Sequence, residues 1–204
     1  MAGSDSLSPT TLLVNVAFSQ GLFAVVLVAG AWYTGIPAGA FGAGPGTLGL
    51  DALAAGVGFG LALSLANGAV GAVASSFGRD PSEDLRELLA PESFAGWLLL
   101  LGVVLPVIAG FEELLFRGAL VGVFHAGFGW SPWALATASS VAFALGHGAQ
   151  GPVGVVVTGL LGFVLAAGFV LTGSLLVVVV AHYLVNAAEF VAYEGLGLEP
   201  PFGP

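Results

Sequence analysis

Six apolar runs divide this chain, near residues 11–33, 52–77, 94–111, 132–147, 152–172 and 174–193, and almost no charge interrupts them. Each is close to the ~20 residues that a helix needs to cross hydrocarbon. Backbone in lipid must satisfy its own hydrogen bonds, so runs of this length specify helices. The expected fold is all-α, a polytopic transmembrane helix bundle with about six spans and a short interfacial helix. A soluble domain is excluded, because charged residues are 7% of the chain where soluble chains carry about 25%. The first run has no basic segment ahead of it and exceeds a signal-peptide core, so it reads as a retained span.

Proline and glycine mark the joints. Residues 34–50 form a Gly/Pro-rich connector, and residues 78–93 are the most charged stretch. Asp80-Pro81-Ser82-Glu83 resembles a helix start, with Asp80 as cap. Leu85, Leu88 and Leu89 then fall on one face while Arg86 and Glu87 face away, as in a helix lying at the interface. Ser131-Pro132 and Gly151-Pro152 read as helix starts, and Gly173-Ser174 as a turn. Pro106 withholds a hydrogen bond and is expected to kink its helix just before Glu112. Gly56, Gly60, Gly68 and Gly71 read as places where helices approach closely.

The chain divides by expectation into residues 1–93, with two spans and the acidic interfacial loop, residues 94–193, a bundle carrying the polar motifs, and residues 194–204, an acidic C-terminal tail. Its formal charge is −9 without a single lysine. The acids lie in loops and tails, at Asp5, Asp51, Asp80, Glu83, Asp84, Glu87, Glu92, Glu194 and Glu199. Such a surface disfavours nucleic acid and anionic lipid as partners and suits a cell with high internal salt. Arg79 and Arg86 share one loop, which the positive-inside rule puts in the cytoplasm, with both termini on that side of the cell membrane. Cysteine is absent, so thiol chemistry and disulfides are excluded.

Ionisable groups at membrane depth are costly and mark functional sites by default. Three clusters stand out: Glu112-Glu113 with Arg117, Phe143 with His147, and His182 with Asn186. A spacing of four puts Glu113 and Arg117 on one helix face, where they can pair. Glu112 is rotated by about 100° and left for another partner. One buried Glu–Arg pair could simply hold a bundle together, but two adjacent acids and one base cannot all neutralise each other. The remaining carboxylate suits a general acid or base. Phe143 lies one turn before His147 and would shield its ring, while His182 and Asn186 share a face deep in the last span.

In order and spacing these residues resemble the three motifs of the CPBP family of intramembrane proteases, also called the Abi or CAAX-protease family. The carriers are Glu112-Glu113-xxx-Arg117-Gly118, Phe143-xxx-His147 and His182-xxx-Asn186, within residues 94–193. The resemblance implies an all-helical endopeptidase that cleaves membrane-associated, CAAX-like or leader peptides, some lipidated. Counting helix rise from the ends of the spans puts the site in the cytoplasmic half, opening toward the cytoplasm. It implies Glu112 as the base that activates water with His147, and His182 with Asn186 as stabilisers of the oxyanion. Glu113 and Arg117 would orient and tune Glu112. The family is often classed as metalloprotease. If a divalent metal such as zinc takes part, His147, His182 and Glu112 are the ligands, with water completing the site. A metal-free glutamate mechanism is equally writable, since the H-E-x-x-H signature is missing.

Glu189 shares a face with His182 and Asn186. It is either an interfacial carboxylate or a partner that fixes the His182 tautomer. His125, Asp51 and Asn67 are placed outside the site, Asn67 as an interhelical hydrogen bond. Two readings from other classes stand beside the protease: a proton-coupled transporter, and a non-catalytic immunity or scaffold protein. Broken helices repeated in two halves would favour the carrier, and none is evident.

Overall fold

Serines and glycines set the helix ends in the computed structural model, which describes residues 8–75 and 83–198. Ser8 accepts from the Thr11 N–H and Pro9 takes the first helical position of α1 (Pro9–Tyr33). Asp51 sits in the first turn of α2 (Leu50–Ser75), beside amides that carry partial positive charge. The short helix α3 (Glu83–Leu89) follows. Ser93 caps α4 (Phe94–Phe128), which ends at Gly129 with φ 67°. Ser131 caps α5 (Pro132–Gly146), and Gly173 at φ 63° ends α6 (Gly151–Thr172). Ser174 caps α7 (Leu175–Gly195). No strand occurs among the described residues.

Five of these helices, α1, α2, α4, α6 and α7, are long and apolar enough to cross a membrane. This is a multi-pass helical bundle. The sixth expected span, α5, is apolar but has only 15 residues, about 22 Å at the helical rise against ~30 Å of hydrocarbon. By contrast α4 has 35 residues. The irregularity expected at Pro106 takes the form of a π-helical turn at Leu100–Val104, where the Leu105 N–H reaches Leu100 O. The wider turn precedes the residue that cannot donate. A second π-helical stretch, Leu114–Val123, starts directly after Glu113, and a third, Phe190–Gly195, closes α7.

Helix α7 is the hub of the packing. Val178, Ala181 and Val185 meet Leu63 of α2, Val121 of α4 and Leu165 and Phe169 of α6 in one buried cluster. Ala187 and Phe190 join Leu13 of α1 and Leu100, Val104 and Leu105 of α4 in another. Small residues permit this: a Cβ at Gly56 would stand 2.9 Å from Val180 Cβ, and one at Gly60 2.9 Å from Ala181 Cα. Gly68 instead faces open space, so the expectation of a contact there is wrong. The side chain position of Gly71 lies outside the described residues.

The connector after α1 is docked rather than loose. Phe41 is buried against Gly118, whose added Cβ would lie 3.1 Å from the ring. Gly42 adopts φ 75°, and its carbonyl accepts from Leu175 N. This ties the connector to the start of α7.

Around α3 the structure corrects the sequence reading. Arg86, expected to face away with Glu87, is buried, whereas Glu87 and Leu88 are exposed and Leu89 packs against the core as part of the apolar face. Helical periodicity predicts two faces but cannot tell which one another helix will cover. Glu194, expected in a free tail, lies in the last turn of α7 and pairs with Arg86 at 3.3 Å. The Arg86 guanidinium also stands 4.7 Å from the Tyr193 ring centroid. Arg79 and the proposed start at Asp80-Pro81-Ser82 lie outside the described residues.

Candidate active site

Glu113 organises the floor of the site. It and Arg117 are both fully buried, one turn apart on α4, and Arg117 Nη1 donates to Glu113 Oε1 at 2.8 Å. The same oxygen lies 2.7 Å from Nδ1 of His182 on α7. Paired to an arginine, Glu113 can only accept, so His182 Nδ1 carries a hydrogen. Its Nε2 then faces Glu112, whose Oε2 is 3.7 Å away. The two acids have separate tasks, one fixing an imidazole and one facing it. Glu113 Oε2 and Arg117 Nε are buried without a hydrogen-bond partner, so this is a single-point pair and not a bidentate fork.

Arg117 also donates through Nη2 to Gly162 O on α6 at 2.7 Å. Glycine is needed at that close approach, because a Cβ there would stand 2.9 Å from Phe143 and 3.4 Å from Arg117 Nη2. Phe143 fills the space between the charged groups. Its ring centroid is 4.7 Å from the Arg117 guanidinium, 4.5 Å from the His147 ring and 6.0 Å from the His182 ring. Ser139 holds α5 against α4 by donating to Phe116 O at 2.6 Å.

His147 caps the C-terminus of α5, with Nδ1 2.8 Å from Phe143 O. A carbonyl only accepts, so the hydrogen is on Nδ1 and the Nε2 lone pair is left for another group. Glu112, His147, His182 and Asn186 all line one cavity of about 320 Å³. The shortness of α5 matters here, since its end is where His147 enters the cavity.

Glu189 lines this cavity, but the reading in which it fixes the His182 tautomer is wrong, because Glu113 occupies Nδ1. Glu189 instead accepts from Asn67 Nδ2 of α2. The interhelical bond expected of Asn67 is present, yet its exclusion from the site is corrected, since Asn67 lines the cavity too. His125 stays outside, bonded near a helix end to Trp130 O at 2.8 Å, and Asp51 is not part of the lining. Gln20 of α1 was not singled out, although an amide inside an apolar span is the same kind of signal that marked Asn186. It lines the cavity, as do Arg86 and Tyr193.

A metal centre of His147, His182 and Glu112 is not assembled. Among the described residues no three His, Asp or Glu side chains are grouped so as to hold an ion. In each histidine it is Nδ1 that is bonded to the protein, which leaves Nε2 of both rings for another group.

The family model described as Type II CAAX prenyl endopeptidase Rce1-like matches residues 92–188. Residues 92–188, just under half of the chain, are similar to that family. The match falls on the segment whose motifs resemble the CAAX-protease family and supports a CAAX-protease-like membrane enzyme. No curated protein and no solved structure matches the chain. All the motif residues lie in the Rce1-like segment, whereas Gln20, Asn67, Arg86 and Leu89 bring residues from ahead of it into the cavity.

Proposed function

We propose that the protein is an intramembrane endopeptidase, with Glu112 and His147 activating water and His182 and Asn186 stabilising the oxyanion. Its substrates are membrane-associated peptides of the CAAX-like or leader type. The observation that carries the reading is the relay from Arg117 through Glu113 to His182, ending 3.7 Å from Glu112 in a cavity shared with His147 and Asn186.

Charge balance gives this relay its chemistry. Two carboxylates and one guanidinium leave one negative charge, which a single proton on Glu112 or His182 cancels. With that proton on His182, Glu112 is a base. It takes a proton from water as the water oxygen attacks the peptide carbonyl carbon, while His147 Nε2 accepts a hydrogen bond from the hydrogen that stays on that oxygen and aims the nucleophile. The His182 Nε2–H and the Asn186 amide donate to the carbonyl oxygen as it becomes negative. Collapse breaks the C–N bond, and the proton on Glu112 passes to the leaving amine. Burial strengthens each of these interactions. Glu113 and Arg117 position His182. No step is routed through a metal.

The test uses the purified full chain in detergent and a fluorogenic peptide carrying a farnesylated cysteine followed by three aliphatic residues. A leader peptide with an apolar segment serves as the second substrate. Cleavage by the wild type, its loss in Glu112→Gln and His147→Ala, and its persistence in a chelator are expected. Proton or solute flux without cleavage in proteoliposomes would replace the protease with the carrier.

A further inference from the structure

Among the described residues, Gln20 is the one that lines the cavity, is unused by the mechanism and has a buried polar atom without a partner. Its Oε1 is buried and accepts no hydrogen bond. A buried acceptor without a donor costs desolvation that nothing repays, and such groups in native proteins call for an explanation. In lipid the penalty is harder to escape, since no bulk water is at hand.

The packing of α1 on α4 fixes the level of Gln20 relative to the reacting groups. Leu13 packs with Leu100 and Val104, a Cβ at Gly21 would meet Val107, and Phe23 stacks on Phe111 at 6.1 Å. The two helices therefore run in the same direction, and Gln20 is level with Val107 and Ile108, one turn short of Glu112. Four residues of helix rise are about 6 Å, which is close to two residues of an extended chain at ~3.3 Å each. A peptide bond can be cleaved only if its segment is unwound, and an unwound backbone at membrane depth carries N–H groups that need acceptors.

We propose that Gln20 is a substrate-binding residue whose amide turns about its last side-chain bond, bringing the now-buried Oε1 into the cavity to accept a backbone N–H of the extended substrate about two residues from the scissile bond. This rests on the protease reading. The helix ahead of the Rce1-like segment then supplies part of the substrate cleft, and it recognises main chain, which is common to every peptide, rather than side chains.

Depsipeptides give the test, because replacing one amide by an ester removes one N–H. The farnesylated fluorogenic peptide is made in its all-amide form and with an ester two residues to either side of the scissile bond. Each is assayed with wild type, Gln20→Leu and Gln20→Met in detergent. On the all-amide peptide both variants are expected to lose about tenfold in kcat/KM, mainly through KM. One ester peptide should cost the wild type about tenfold and cost the variants nothing further. Thermal unfolding midpoints of the variants should equal or exceed that of the wild type, since a partnerless amide has no structural bond to lose.

An ester penalty at both positions that is equal in wild type and variants would overturn the proposal while leaving the protease reading intact. So would variants that fail to fold or unfold earlier. If folded wild type cleaves none of the peptides, including the leader substrate, the protease reading falls and this proposal with it.

Discussion

At the floor of the cavity Glu113 and Arg117 are fully buried and four residues apart on one helix. At its rim Arg86 and Glu194 come from segments 108 residues apart, and Glu194 keeps a side-chain exposure of 16%. The floor pair is tied to His182 and Gly162, so each charge has a partner from a different helix. The rim joins Arg86 to Glu194 and Tyr193, and Asn67 to Glu189. Both regions put charge into an apolar protein. The floor does so without access to water and leaves Glu113 Oε2 and Arg117 Nε unpaired, whereas Glu194 at the rim keeps some contact with solvent. A dry network tied to several helices is where groups can be held for chemistry; one with more solvent contact is suited to holding helices and admitting substrate.

The largest effect expected to separate the regions is on activity. Glu112→Gln should lower kcat by about 10²–10⁴-fold with the fold retained. Asn67→Ala should leave kcat within a few-fold. Equal losses in a peptide-cleavage assay would erase the distinction, because chemistry would then depend on the rim as much as the floor.

Next comes stability, read by thermal unfolding in detergent. Arg117→Leu strands the Glu113 carboxylate and is expected to cost about 3–5 kcal/mol. Arg86→Leu should cost less, about 1–3 kcal/mol, since Glu194 keeps some contact with solvent. Equal losses here would mean that floor and rim form one network.

The smallest effects sharpen the comparison at the backbone of α2. Gly60→Ala places a methyl group 2.9 Å from Ala181 Cα, beside His182, and should cost about 1–3 kcal/mol. Gly68→Ala, next to Asn67 and facing open space, should be neutral or stabilise by up to about 1 kcal/mol. If Gly68→Ala were the more damaging change, the close approach of α2 to α7 would not be what holds the floor.

Several parts of this molecule were legible before any coordinates. The runs of apolar residues announced helices because lipid allows few alternatives, and Ser131-Pro132, Gly151-Pro152 and Gly173-Ser174 marked boundaries that the helices keep. The Glu113–Arg117 pair followed from a spacing of four. Other parts were not legible. The burial of Arg86 depends on a residue in the last turn of α7. The partner of His182 is Glu113, 69 residues away, and not Glu189 on its own helix. The pairing of Asn67 with Glu189 crosses 122 residues.

What the sequence determined alone is whatever one helix turn can bring together: the apolar helices, most of their ends, and the shared faces of Glu113 with Arg117, Phe143 with His147, and His182 with Asn186. Tertiary structure decided which carboxylate oxygen receives which donor, which face of α3 is covered, and that Gln20 of the first span shares a cavity with Glu112. The reason is one of range. A rise of about 1.5 Å per residue fixes neighbours within a turn whatever surrounds the helix, while contacts between helices depend on how side chains such as Phe143 and glycines such as Gly60 and Gly162 let whole segments approach.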